Sequence, residues 1–305
     1  MSLKSEWRRM RSDIRSAYKS EDTEEFFDRI FTKPLGYLWA RLFMRLGWTP
    51  NMVTLLSMAI GFAGGWLFYP ESFTLNLIGV LLVIWANILD STDGQLARLT
   101  GHKSTLGRIL DALSTGVWYV AIDCALCLRL MSKPIPFSGG RPWGGLIWLV
   151  VIVCEFAGHQ KQCMLADYYR NIHLFFLKNK NGSELDRSRD IARARAKLPW
   201  KGARFQKLYL YFYGLYTRLQ ELSTPSFQRL FKAIEENGGE VDEAVRQDYL
   251  AQSRKYIQLT NILTFNTRAY TLFLLVLLTG ATVYLMAWRY ARHSMSRLSC
   301  SPSAG

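Results

Sequence analysis

The stretch Leu89-Asp90-Ser91-Thr92-Asp93-Gly94-Gln95-Leu96-Ala97-Arg98, followed after eight residues by Gly107-Arg108-Ile109-Leu110-Asp111, decides how this chain is read. Its first acid closes an apolar run over 73–89, and its last acid stands at the entrance of another over 112–131. An ionised carboxylate beside hydrocarbon is costly unless a cation or solvent compensates it, so three of them flanking one connection point to a bound ion. At helical spacing Asp90, Asp93 and Ala97 fall at i, i+3 and i+7 on one face, and Gly107 and Asp111 share a face of the next helix. Ligands that are all oxygen suit Mg²⁺ or Mn²⁺, and the lack of His and Cys within the stretch argues against a dedicated zinc site. The small residues Gly94, Ala97 and Gly107 allow a flat ligand or a neighbouring helix close to the backbone.

Working outward, apolar runs near 52–69, 73–89, 112–131, 144–160 and 269–288 each approach the roughly 20 residues that a bilayer span requires. The mean hydropathy of the 305-residue chain is near zero because apolar and charged stretches average out. The expected fold is an all-α, polytopic transmembrane helix bundle. Five spans are the leading count. Six is the alternative, because five would leave Arg289, Arg292, His293 and Arg297 outside, and residues 257–290 are long for one span and short for a hairpin. The first apolar run begins only after a long charged leader, which does not read as a cleavable signal. A net charge of +14 follows from the positive-inside bias and attraction to anionic headgroups, so no nucleic-acid partner is expected. Cys124, Cys127, Cys154 and Cys163 lie in or at the ends of spans and Cys300 lies in the tail, without zinc-ligand spacing.

Composition divides the chain into interfacial amphipathic helices (1–48), a transmembrane core carrying the acidic stretch (49–169), a basic cytoplasmic helical insertion (170–256), the C-terminal span or spans (257–290) and a tail (291–305). In the leader, Ser20 and Thr23 ahead of Glu24 and Glu25 are helix-start signals, and Pro34 with Gly36 predicts a break. Thr49-Pro50-Asn51 opens the first span, with Asn51 and Thr54 at its mouth. The second span is read as ending at Asp90, followed by a cytoplasmic turn of about sixteen residues with Arg98, His102, Lys103 and Arg108. Asn237-Gly238-Gly239 splits the insertion.

The quoted stretch resembles the CDP-alcohol phosphotransferase family. That family's motif is two Asp separated by two residues, then Gly, two residues, Ala-Arg, eight or nine residues, Gly, three residues, Asp, three residues and Asp. Asp90, Asp93, Gly94, Ala97, Arg98, Gly107 and Asp111 match at those spacings, and Thr49-Pro50-Asn51-Met52-Val53-Thr54 resembles the usual entry to the first span. The resemblance implies transfer of a substituted phosphate from a CDP-linked lipid donor, CDP-diacylglycerol, to a polar alcohol acceptor with release of CMP in phospholipid synthesis. It implies two Mg²⁺ or Mn²⁺ ions on Asp90, Asp93 and Asp111. Gly94, Ala97 and Arg98 would line the CDP site, Gly107 would admit the nucleotide, and Asn51 and Thr54 would approach it. It also implies a homodimer paired through its spans and an active site facing the cytoplasm from the inner membrane.

One position departs from the motif. The family's last Asp, a metal ligand and general base, falls at Thr115, whose hydroxyl cannot take a proton near neutral pH. The catalytic candidates are therefore Asp111, Thr115 and His102, with Glu155, His159 and Asp167 as further polar groups on the fourth span. Asp123 is twelve residues from Asp111, about 18 Å along a helix and off its face, and is excluded. An inositol phosphate or similar polyol acceptor would draw on cations such as Lys161, Arg170 and Arg268. Thr115 keeps open a non-catalytic relative that binds nucleotide or lipid. A transporter would place its acids near the bilayer midplane, whereas these cluster at one edge.

Overall fold

The computed structural model describes residues 20, 22–102, 105–178, 185–200, 202–238, 240–264 and 266–279, and these are helical, turn or loop with no strand among them. Among the described residues, three helical runs are long and apolar enough to cross a membrane: Phe73–Thr100, Ile109–Leu130 and Glu243–Thr279. The chain is thus an all-α integral membrane protein. The run near 52–69 forms α2 (Pro50–Trp66), with Pro50 in its first turn. The run near 144–160 forms α5 (Leu146–Val153), which passes through a π-helical turn, Cys154–Gln160, into α6 (Lys161–Lys178). In the segment 257–290 a 3₁₀ turn, Gln258–Leu263, precedes a helix over 266–279; the sequence beyond it, with Arg289, Arg292, His293, Arg297 and Cys300, lies outside the described residues.

The span bundle is held by close approach of small residues. A Cβ added at Gly61 of α2 would stand 2.1 Å from Trp118 Cδ1, and one at Gly65 would stand 3.0 Å from the Ile122 backbone nitrogen; both partners lie on α4 (Thr105–Leu130). Gly64 meets α3 (Phe73–Thr100) at Gly79, whose own Cβ would lie 2.7 Å from the Gly64 carbonyl. Such backbone contact replaces the hydrophobic drive that lipid cannot supply between helices. Several polar groups in the bundle are paired across helices: Ser57 donates to the Ala86 carbonyl at 3.1 Å. Arg129 donates to Asn76 Oδ1 at 2.7 Å and to the Phe68 carbonyl at 3.1 Å, and the Asn76 amide donates to the carbonyls of Leu67 and Pro70.

A second unit is built on α6. Tyr168, Ile172, Phe175 and Phe176 form a core with Phe231 and Ile234 of α9 (Pro225–Glu236) and Leu250 of α10 (Glu243–Ile257). A hairpin of α7 (Ser188–Lys197) and α8 (Arg204–Ser223) is tied by Ser188, which donates its amide and hydroxyl to Glu221. The insertion therefore breaks at Thr224-Pro225 as well as at the predicted Asn237-Gly238, where Gly238 has φ +87°.

Two expectations about the leader and the loop after the second span are corrected. Pro34 and Gly36 do not break the chain: a π-helical turn, Asp28–Thr32, runs directly into α1 (Lys33–Arg45), and such a turn just before a proline accommodates its missing N–H within a continuing helix. The supposed sixteen-residue turn is mostly helix, since α3 continues unbroken to Thr100 and ends at Gly101 with φ +71°. Gln95, Leu96, Ala97 and Arg98 are strong helix formers, and one interior glycine costs only about 1 kcal/mol. Gln95 also fastens this half of α3 to α1 by donating to the Lys33 carbonyl at 3.0 Å, above the buried Gly36.

The leader is clasped to the second unit by acids. Arg170 donates to Glu25 and to Asn261, and Asn266 donates to Glu25 and Asp28, while within the leader Lys33 pairs with Glu24. The buried His173 stands between Ser253 and Asp22. Burial, then the neighbouring Glu25 charge, pushes the Asp28 carboxyl from 3.8 up to about 6. A carboxyl whose folded pKa is raised favours the folded state below about pH 3.8, and that contribution is lost as pH climbs through about 6. The ionised group near pH 7 therefore costs on the order of 2 kcal/mol. Asp28→Asn is expected to raise Tm near neutral pH, with a gain that shrinks towards about pH 4; a loss of stability at neutral pH would contradict this.

Candidate metal and nucleotide site

The three carboxylates of the quoted stretch come together. One oxygen from each of Asp90, Asp93 and Asp111 lies within 4.8 Å of the others, with Asp93 buried, Asp90 half-buried and Asp111 exposed. The cause is local. Asp90 and Asp93 are one turn apart on unbroken α3, and Asp111 lies near the start of α4. Three like charges this close repel one another unless something positive stands among them. Chemically the group fits a hard divalent cation: all donors are carboxylate oxygens, and the graded exposure leaves one side accessible to phosphate oxygens.

Ser114 adds a contact that the motif spacing did not reveal. It is buried, and its hydroxyl donates to Asp90 Oδ1 while lying 2.8 Å from the Asp111 carbonyl. Such a contact fixes the orientation of a ligating carboxylate. Ser114 stands three residues after Asp111 on the same helix face, a signal available in the sequence but overshadowed by Thr115, the position aligned with the missing Asp. Thr115 is half-buried on the next position.

The surroundings sort the remaining candidates. A Cβ added at Gly94 would meet only Arg98 Nη1, at 3.8 Å, so no neighbouring helix explains this glycine. Arg98 is exposed beside it, Ala97 and Gly107 are half-buried, Asn51 is half-buried and Thr54 is buried at the first turn of α2. His102 is exposed in the link after Gly101 and is not among the three grouped acids. Lys103 and the side chain of Arg108 lie outside the described residues. Glu155 and His159 contact each other at 3.1 Å across one turn, which is the structural pair that their spacing allows. Asp167 is exposed and accepts from Asn171. Arg170, an expected acceptor-binding cation, is engaged by Glu25 and Asn261.

Comparison with known proteins places a CDP-alcohol phosphatidyltransferase domain at residues 47–162. The chain is 31% identical over 120 residues to a phosphatidylinositol phosphate synthase of Mycobacterium marinum, covering 39% of this chain and 40% of that protein. It is 33% identical over 88 residues to the phosphatidylinositol phosphate synthase of Mycobacterium tuberculosis, covering 28% and 39%. It is 39% identical over 67 residues to an archaetidylinositol phosphate synthase of Pyrococcus horikoshii, covering 22% and 34%. The chain thus spans 40% or less of the length of each of these relatives.

Proposed function

We propose that this chain, whose residues 47–162 match the CDP-alcohol phosphatidyltransferase family, acts as a member of that family and transfers a phosphatidyl group from CDP-diacylglycerol to a phosphorylated polyol of the inositol phosphate type, releasing CMP. The observation that carries this reading is the convergence of Asp90, Asp93 and Asp111. The acceptor class is supported by the names of the relatives.

Asp90, Asp93 and Asp111 would hold two Mg²⁺ or Mn²⁺ ions. Bound there, such ions supply positive charge to the diphosphate and lower the pKa of an alcohol beside them. Ser114 keeps Asp90 oriented. Arg98 opposes phosphate charge, and the open space at Gly94, with Ala97 and Gly107, takes the flat face of the nucleotide. Asn51 and Thr54 line its approach. The acceptor hydroxyl oxygen attacks the phosphorus of the lipid-bearing phosphate in line, the bond to the CMP oxygen breaks, and the hydroxyl proton passes to a carboxylate. Thr115 cannot receive it and His102 stands apart from the grouped acids, so the exposed carboxylate of Asp111 takes that role.

In this reading residues 49–169 are the catalytic core, 1–48 the interfacial collar, 170–256 the insertion, 257–290 the last span and 291–305 the tail. The basic residues after Asp93 and in the insertion support a site on the cytoplasmic side. Partnership with a second copy through the spans remains part of the proposal. Thr115 also supports a second reading, a non-catalytic nucleotide- or lipid-binding relative. Purified protein in detergent with Mg²⁺ and CDP-diacylglycerol, offered inositol phosphate, glycerol phosphate or serine in turn, is expected to release CMP fastest with inositol phosphate. Equal or faster release with serine would overturn the acceptor class.

A further inference from the structure

Helix α8 presents a stripe of Phe205, Leu208, Phe212, Leu215, Leu219 and Leu222, which recur every three or four residues along five turns. All six are exposed: Phe205 by 85%, Leu222 by 68% and Leu215 and Leu219 by 47% each. The opposite face is packed. Thr217 and Gln220 are buried, and the Gln220 amide donates to the Met164 carbonyl of α6 at 3.3 Å. Seated on α6 along one side, α8 turns a continuous apolar face away from its own unit, a pattern that a soluble helix rarely keeps.

The rim of this face is cationic. Residues 187–218 carry nine Lys or Arg against one acid, Asp190. Arg195 stacks its guanidinium over Tyr211 at 5.2 Å, and Lys207 places its ammonium 4.5 Å from the Trp200 ring centre. Trp200 is 70% exposed. Exposed aromatics beside Arg and Lys, above a Phe and Leu stripe, are the side-chain set of a helix lying in a membrane interface. A second copy of the chain would set like charge against like, whereas anionic headgroups complement the excess of cations. The chain's own spans keep a bilayer permanently at hand.

We infer that α8 is an in-plane membrane-binding helix that lays its Phe205–Leu222 face into the headgroup and acyl boundary of an anionic bilayer. The family match ends at residue 162, so this face is an addition to the transferase domain and is independent of the transfer reading. It fixes the insertion to the membrane surface through apolar depth, with its basic rim selecting acidic lipid.

The test uses the full-length protein reconstituted in phosphatidylcholine vesicles with and without about one third phosphatidylglycerol, each carrying a trace of phospholipid with a photoreactive acyl chain. After illumination, lipid adducts are mapped by peptide mass spectrometry. Adducts are expected on the peptide carrying Phe205–Leu222 and to rise several-fold with phosphatidylglycerol. The double variant Phe212→Glu with Leu219→Glu is expected to lower them about tenfold while adducts on α3 stay unchanged. If that variant does not fold, the wild-type map decides alone. Adducts on α3 with none on α8, or crosslinks between α8 of two copies in their place, would overturn the inference.

Discussion

Asp93→Asn is expected to lower CMP release at least about a hundredfold, since loss even of an outer partner of a metal ligand commonly costs 10–100-fold. The same substitution should hold or raise Tm without divalent cation, because it removes one of three charges whose oxygens lie within 4.8 Å. The rise in Tm that Mg²⁺ gives the natural protein should largely disappear. Asp123→Asn, on α4 away from that group, should leave CMP release within about threefold and the Mg²⁺ response intact. A drop in Tm without recovery by Mg²⁺, and with CMP release scaling to the folded fraction, would make Asp93 a structural residue.

Gly61 and Gly94 should separate packing from binding. Gly61→Ala sets a methyl group 2.1 Å from Trp118 Cδ1 and 2.3 Å from its Nε1. Trp118 is wholly buried and cannot swing aside, so the expected cost is about 1–3 kcal/mol and a clear fall in Tm, with CMP release per folded molecule preserved. Gly94→Ala meets only Arg98 Nη1 at 3.8 Å and removes a helix-interior glycine, so Tm should stay level or rise by up to about 1 kcal/mol of stability. Its methyl group would stand where the nucleotide is proposed to lie, so CMP release should fall about tenfold. Full activity in Gly94→Ala would remove Gly94 from the nucleotide site.

Asp90 and Asp93 were legible as a pair because helical period alone aligns them, whereas Asp111, on the next helix, was tied to them by the spacing of the motif. Charge and apolar clustering likewise carried the helical class, and Pro50 and Gly238 marked their helix ends. Several features were hidden because they pair residues distant in sequence. The Arg170–Glu25 contact joins positions 145 apart, and Gln95 with Lys33 joins positions 62 apart. The close contacts of Gly61, Gly64, Gly65 and Gly79 lie within uniformly apolar runs, where periodicity does not distinguish a helix-facing position from a lipid-facing one. The π-helical turns at Asp28–Thr32 and Cys154–Gln160 leave no mark in residue type. Ser114 was missed for another reason: the motif drew attention to the absent carboxylate at Thr115, while the group that contacts Asp90 stood one residue earlier.

The proposal that these three acids run a CDP-dependent transfer is tested most directly by CMP release from CDP-diacylglycerol in the presence of inositol phosphate, measured on purified protein with Mg²⁺ and again with excess chelator. Release with Mg²⁺ that stops on chelation and returns when Mg²⁺ is restored is the expected result. Absence of CMP with inositol phosphate, glycerol phosphate and serine alike, while the protein still binds CDP in a Mg²⁺-dependent way, would contradict it and leave a nucleotide-binding relative that has lost the reaction with its carboxylate at position 115.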